Sequence, residues 1–296
     1  MSINKFKKFI FGSAGFGMPQ YGFSSSTTPS DLNNYLKYIY NSGIIHIDTA
    51  PSYGHSEKTI GVYHKNNFQK FNMWTKVDGL IKNSHFTIDN IFNRVKESKK
   101  KLNIDQIECL YLHQNDINII EDKFVQKALQ EVKLHGLVKK VGVSIYSANE
   151  LDSSMFIDVY DVIQLPVSVT NTYLYNIAHK HSCKKILVAR SIFLQGTLLN
   201  IEEKRERFNY FDEINNMVKC LKELAYAYEV DYLGMLLSYV NSLEGLDHII
   251  VSSKNKTNLD KILKNSELKL NEDLKLKINE ISEKLNDWTN PRNWLT

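Results

Sequence analysis

Eight short apolar runs, separated by segments of helical spacing, constrain this chain more than any other feature. The first lies near Lys8 to Gly12. The others are "IIHIDT" from Ile44, "FNMWTKV" from Phe71, "IECLYLHQ" from Ile107, "VKKVGVSI" from Val138, "DVIQLPV" from Asp161, "KILVARS" from Lys185 and "HIIVSS" from His248. Most are continuously apolar rather than alternating, the pattern of parallel strands covered on both faces. Between them, Ile88, Ile91, Phe92 and Val95 fall on one helical stripe, and Phe124, Val125, Ala128, Leu129 and Val132 on a second. Ile214, Met217, Val218, Leu221 and Leu224 make a third. Strand–helix alternation with short loops implies right-handed βαβ units. Eight such units without a break in composition fit a closed α/β barrel, the (β/α)8 or TIM barrel, and 296 residues is a length that fold reaches as one unit. Residues 1–296 therefore read as a single domain. Residues 200–230 read as an inserted helix, and a final helix around 270–286 precedes the tail "DWTNPRNWLT".

Composition removes several function classes. The net charge of +4 is mild, and no Lys/Arg stripe interleaved with aromatics suggests nucleic acid. The run "KESKKKLN" reads as the solvated end of a helix, its cations near the negative end of the dipole. Three scattered cysteines, Cys109, Cys183 and Cys220, form no disulfide framework and point to a reducing, cytoplasmic setting. No apolar run approaches the length of a membrane span. Near the start, "FIFGSAGFG" reads as a strand and a glycine-rich turn rather than a signal peptide. His46 and His55 have no second ligand at metal spacing, so no metal is expected.

In a barrel of this kind reactive groups gather where strands end, at the C-terminal face. Asp48 ends the second run, and Tyr53 lies in the Pro- and Gly-punctuated turn after it. Lys76 ends the third run in "MWTKV", and His113 the fourth in "LYLHQ". A tyrosine has an ordinary pKa near 10, so it holds a proton at neutral pH. A neighbouring buried ammonium is expected to lower that pKa. Asp48 supplies the counter-charge that a buried lysine needs. His113 can donate to a carbonyl oxygen and orient it. Together these groups make a general acid over an oxyanion, as hydride reduction of a carbonyl requires.

The segments "HIDTAPSYGHSEKTIG", "WTKV" and "LYLHQND" resemble the catalytic motifs of the aldo-keto reductase family, and the likeness runs from "GSAGFG" to "IIVSSKNKTNLDKIL". It implies a (β/α)8 barrel with a catalytic set of Asp48, Tyr53, Lys76 and His113. It also implies a nicotinamide dinucleotide, usually NADPH with NADH possible, bound without a Rossmann domain; "GSAGFG", which includes Ser13 on the cofactor side, is no dinucleotide fingerprint. By the same resemblance Ser144 and Gln164 hold the nicotinamide carboxamide, while Ile145 stands where an asparagine often does. "RSIFLQGTL" matches the segment that wraps the pyrophosphate, with Ser191, Phe193 and Gly196 in place. Arg190 replaces the aromatic that often stacks on the nicotinamide; a planar guanidinium can stack or pair with phosphate. Ser252, Ser253, Lys254 and Asn258 fall where the adenosine phosphate sits at a helix N-terminus. Asn258 takes the place of a common arginine.

Two functions fit this reading. One is a carbonyl reductase working on a small molecule, possibly a sugar derivative, because "VARSIFLQGTLL" resembles a bacterial subgroup tied to sugar metabolism. The other is a cofactor-binding regulatory subunit resembling ion-channel β subunits. Phe16 and Trp74 are expected to wall the rim. Tyr21, Trp288, Arg292 and Trp294 are candidates either to cover the site or to pack the last helix onto the barrel.

Overall fold

The computed structural model describes residues 6–18, 29–84, 86–113, 116–202, 210–282 and 287–289. Eight strands pair in parallel and in chain order, and the last returns to the first: β1 (Phe9–Gly12), β2 (His46–Asp48), β3 (Asn72–Val77), β4 (Ile107–Leu112), β5 (Val138–Ser144), β6 (Val162–Pro166), β7 (Ile186–Arg190) and β8 (His248–Val251). The result is the (β/α)8 barrel expected from the sequence. Each strand lies inside its apolar run, and the ends of the runs leave the ladder to form the rim.

Around the barrel stand α1 (Pro29–Asn41), α2 (Ser56–Asn66), α3 (Thr87–Leu102), α4 (Ile117–Ile120), α5 (Lys123–Leu134), α6 (Ala148–Phe156) and α7 (Tyr173–Lys180). They continue with α8 (Phe211–Ala227), α9 (Tyr232–Asn241), α10 (Lys256–Asn265) and α11 (Glu272–Ser282). The inserted helix is α8, shorter than the 200–230 expected, and residues 203–209 lie outside the described residues. Lys99, Lys100 and Lys101 do occupy the last turn of α3, which Asn103 ends in the left-handed region at φ 53°. The three apolar stripes face inward: Ile91 and Val95, then Val125, Ala128, Leu129 and Val132, then Ile214, Val218 and Leu221 are all buried. No described helix is long and apolar enough to cross a membrane.

Period two along the strands splits the interior in two. Outward residues such as Phe11, Ile47, Met73, Leu110 and Val141 join the large cluster between barrel and helices. Inward residues Ile10, Trp74, Cys109, Tyr111, Val162 and Val188 make a separate core that fills the barrel. Both faces are therefore apolar, which explains the continuous runs.

This parity corrects one expectation. Trp74 does not wall the rim; it lies two residues below Lys76 and is buried in the barrel. Its Nε1–H donates to His46 Nδ1 at 3.1 Å, and the His248 ring packs edge-on at 5.3 Å. Phe16 is buried and stacks on Phe11 at 5.7 Å, so it too serves packing.

Burial, and then His248, pushes His46 from its ordinary 6.5 down to about 4. Between those values the unfolded chain takes up a proton that the folded chain refuses. Stability from this group is therefore complete above pH 6.5 and is lost as pH falls towards 4. The loss amounts to at most about 3 kcal/mol. Urea midpoints at neutral pH and near the lower value should differ accordingly. His46→Gln, which keeps an acceptor for the Trp74 N–H, should narrow that gap; an unchanged gap would remove His46 from the account.

Candidate active site

Moving two residues along each strand from the inner core reaches the C-terminal rim. That step gives Gly12, Asp48, Lys76, His113, Ser144, Gln164, Arg190 and Ser252, one position from each strand or its immediate continuation. Seven of the eight are polar, whereas the layer below is mostly apolar. The rim is thus where the chain places its chemistry.

The centre is a buried ion pair. Lys76 Nζ donates to Asp48 Oδ1 at 2.6 Å and to the Thr49 carbonyl at 2.8 Å. The other carboxylate oxygen, Oδ2, accepts from Gln164 Nε2 at 2.9 Å, and Ser144 Oγ donates to Gln164 Oε1 at 3.0 Å. Four side chains therefore form one hydrogen-bonded line across the barrel top, and both Asp48 oxygens are satisfied. Removing either charge would orphan the other, at roughly 3–5 kcal/mol. Burial works against the Lys76 charge, but Asp48 and the Tyr53 phenol outweigh it and hold its pKa above the ordinary lysine range.

Tyr53 lies beside this pair, its ring centroid 4.8 Å from Lys76 Nζ. Burial pushes its phenol up, and Lys76 pulls the other way without prevailing. The net direction is opposite to the lowering expected from the sequence, because removing the phenolate from water outweighs one already paired ammonium. The phenol stays protonated at neutral pH. His113 sits edge-on to Tyr53 at 6.1 Å. Its Nδ1 is 3.4 Å from Ser52 Oγ and 3.5 Å from Asp78 Oδ2. Burial, then Lys76, lowers its pKa against the pull of Asp78, so the ring is neutral. Nδ1 thus faces both a hydroxyl and a carboxylate, and the tautomer able to donate to a ligand oxygen is the one with its proton on Nε2.

The Tyr53 loop is held from the side of β1. A Cβ on Gly17 would stand 1.9 Å from the Tyr53 carbonyl oxygen, and Gly54, at φ +57°, packs against the same glycine. Ser13 is buried; its Oγ donates to the Asp48 carbonyl at 2.9 Å and lies 2.7 Å from Ser56 Oγ. Its hydroxyl is engaged inside the protein and ties the β1 loop to the end of β2.

Arg190 is half-buried. One of its terminal nitrogens donates to the Ile145 carbonyl at 2.8 Å, its Cζ lies 3.9 Å from the Tyr146 ring centre, and its Nε is buried without a partner among the described residues. After it the chain turns through left-handed backbone at Ser191, Leu194, Gln195 and Gly196, with Phe193 buried. The remaining candidates gather at the corner between β8 and α10. Ser252 Oγ donates to the Gly12 carbonyl at 3.1 Å, and Ser253 Oγ to that of Asn255 at 2.8 Å. Lys254 and the Asn258 side chain are exposed. The Asn255 side chain caps only the Asn258 N–H of α10, leaving the two N–H groups before it without an intrahelical partner.

Of the tail, Trp288 is buried, and Thr289 Oγ1 accepts from Asn171 Nδ2 at 3.1 Å in the loop after β6. Tyr21, Arg292 and Trp294 lie outside the described residues. Thr49, Ser52, Asp78, Tyr146 and Gly17 complete the site without having been singled out in the sequence. Asp78, directly after "WTKV", carried the one readable signal; the others meet the site only through folding.

The profile described as "Aldo/keto reductase family" matches residues 8–283. A D-threo-aldose 1-dehydrogenase of a Pseudomonas species is 24% identical over 67% of this chain and 73% of that protein. A D-arabinose 1-dehydrogenase of Saccharomyces cerevisiae is 28% identical over 59% of this chain and 58% of that protein. Among solved structures, the glycerol dehydrogenase of Gluconobacter oxydans superposes with a TM-score of 0.73 at 17% identity, over 95% of both chains. An aldo-keto reductase of Bacillus halodurans gives 0.72 at 19%, over 93% of this chain and 91% of the other. At those identities the superpositions show the shared fold.

The clamp on the Tyr53 loop can be tested directly. Gly17→Ala should cost about 1–3 kcal/mol through overpacking and speed hydrogen exchange in residues 53–56. Gly196→Ala has nothing within 4 Å of the added methyl and carries only the strain of φ +85°. It should leave the exchange of residues 53–56 unchanged. Unaltered exchange in Gly17→Ala would show that the loop is held by other contacts.

Proposed function

The chain belongs to the aldo/keto reductase family and is an oxidoreductase of carbonyl compounds, and on that premise we propose that it reduces hydroxylated aldehydes, sugar derivatives among them, with Tyr53 as proton donor and NADPH as the preferred cofactor. The observation that carries the reading is the protonated Tyr53 phenol beside a lysine whose charge is already anchored by Asp48. When the phenol gives up its proton to a carbonyl oxygen, the Lys76 ammonium stabilises the phenolate left behind. In its Nε2–H tautomer His113 donates to the same oxygen and fixes its direction. Asp48 keeps Lys76 charged and in place.

The residues present suit a nicotinamide dinucleotide. When bound, it supplies the hydride. Ser144 and Gln164 form a buried amide-and-hydroxyl pair at the rim, matched to a carboxamide. The open first turn of α10 suits a phosphate. The Ser252 and Ser253 hydroxyls are turned to carbonyls within the chain, so Lys254 is the candidate cation for a 2′-phosphate. Without an arginine at Asn258 there is no bidentate clamp, which leaves room for NADH. Sugar-like substrates agree with the polar rim and with the aldose and arabinose specificities in the names of the two relatives.

Absorbance assays with NADPH should show faster reduction of hydroxylated aldehydes than of plain alkyl aldehydes of equal size. Tyr53→Phe should lower kcat by about 10²–10⁴-fold while nucleotide binding survives. Because the phenol is held above its ordinary range, kcat for reduction should fall only at strongly alkaline pH. Near wild-type turnover in the Phe variant would overturn the assignment, and a preference for plain alkyl aldehydes would remove the sugar reading.

Lys254→Ala should weaken NADPH binding several-fold and leave NADH nearly unchanged, as read by fluorescence titration. Equal losses for both nucleotides would take Lys254 away from the 2′-phosphate.

A further inference from the structure

We propose that Arg190 makes the rim prefer the reduced over the oxidised nicotinamide nucleotide, by placing an uncompensated cation where the oxidised ring carries its charge. This rests on the nicotinamide reading above. Among the described residues Lys76 and Arg190 are the two cations at the strand-end positions of the rim, and they differ in one respect. Lys76 is neutralised by Asp48 at 2.6 Å. Among the described residues Arg190 contacts only neutral groups, the Ile145 carbonyl at 2.8 Å and the face of Tyr146 at 3.9 Å, while its Nε–H is buried with no acceptor among them. A half-buried guanidinium held this way is unfavourable for the free protein. It is also rigid, because stacking and hydrogen bonding fix its plane.

The field of this cation reaches the reaction centre, since the Arg190 charge acts on the Tyr53 phenol in the direction of phenolate. Hydride and proton must arrive at the two ends of one C=O bond. A bound nicotinamide would supply the hydride to the carbonyl carbon whose oxygen Tyr53 protonates, which would set its ring near the phenol. That ring is neutral when reduced and gains one positive charge when it gives up the hydride; the two electrons pass to the carbonyl carbon and the proton comes from Tyr53. Arg190 opposes the gained charge. An aromatic side chain at the same place would offer a π face that attracts it. The sign of the local field is thus reversed relative to an aromatic rim, with the result that reduced nucleotide is loaded and spent nucleotide is released. The phosphates are identical in the two redox forms, so their contribution cancels from the ratio of affinities.

The test is the ratio of Kd for NADP+ to Kd for NADPH, measured by calorimetry without substrate. Wild type should bind NADPH more tightly. Arg190→Gln keeps a donor for the Ile145 carbonyl and removes the charge; it should lower the ratio roughly ten-fold. Arg190→Lys keeps the charge and loses the planar stack, and should retain most of the preference. Circular dichroism checks that each variant is folded, and if the Gln variant is not, Arg190→Met takes its place in the comparison with Lys. A ratio unchanged on loss of charge, or lost equally in the Lys variant, would overturn the proposal while leaving the nicotinamide site standing. Failure of wild type to bind either nucleotide would bring down the nicotinamide reading and this proposal with it.

Discussion

Closing eight parallel strands on themselves drives every second residue of each strand into a space that only side chains can fill. Everything distinctive about this protein follows from how that space is used. Its middle is occupied by Ile10, Trp74, Cys109, Tyr111, Val162 and Val188, an apolar plug that excludes water from below the rim. One step of two residues further along, the same inward parity delivers polar side chains from all around the barrel into one ring. No loop has to carry these groups to one another. The strands do so, and their rigidity holds the Asp48–Lys76–Gln164–Ser144 line at hydrogen-bonding distances.

Burial decides the electrostatics of that ring. Lys76 stays charged only because Asp48 and Tyr53 offset its desolvation, and Tyr53 stays protonated because its own desolvation exceeds what Lys76 returns. The two effects are complementary: a protonated phenol sits beside an anchored ammonium. Arg190, with no carboxylate partner among the described residues, stands apart from this balance, held by the Ile145 carbonyl and the Tyr146 ring. Below the plug the same burial works on His46, so one barrel holds a neutral imidazole at its floor and an ion pair at its mouth.

The fold and the polar groups that meet at the candidate site were legible in the chain for a common reason. Strand ends in a closed barrel are marked locally, by an apolar run that stops at a polar residue, and Asp48 and His113 each stop one, while Lys76 lies one residue from the end of its own. Tyr53 was readable because a Pro- and Gly-punctuated turn follows directly. Trp74 was misplaced because a continuous apolar run does not announce which of its residues face inward; the register with Asp48 and Cys109 settles that. The Tyr53 pKa was misjudged in sign because a motif names the neighbouring charge but not the extent of burial.

The sequence by itself determined the eight βα units, the placement of Asp48, Tyr53, Lys76 and His113 at strand ends or just after them, and the family, since all of these depend on local pattern and spacing. Tertiary structure alone decided the contacts between residues far apart in the chain. Gly17 is shaped to the carbonyl of Tyr53, Gln164 reaches Asp48 across 116 positions, and Arg190 finds Tyr146 and the Ile145 carbonyl past an intervening strand. Such contacts are set by barrel register and shear, which arise from the packing of all eight strands together and leave no mark on any one segment.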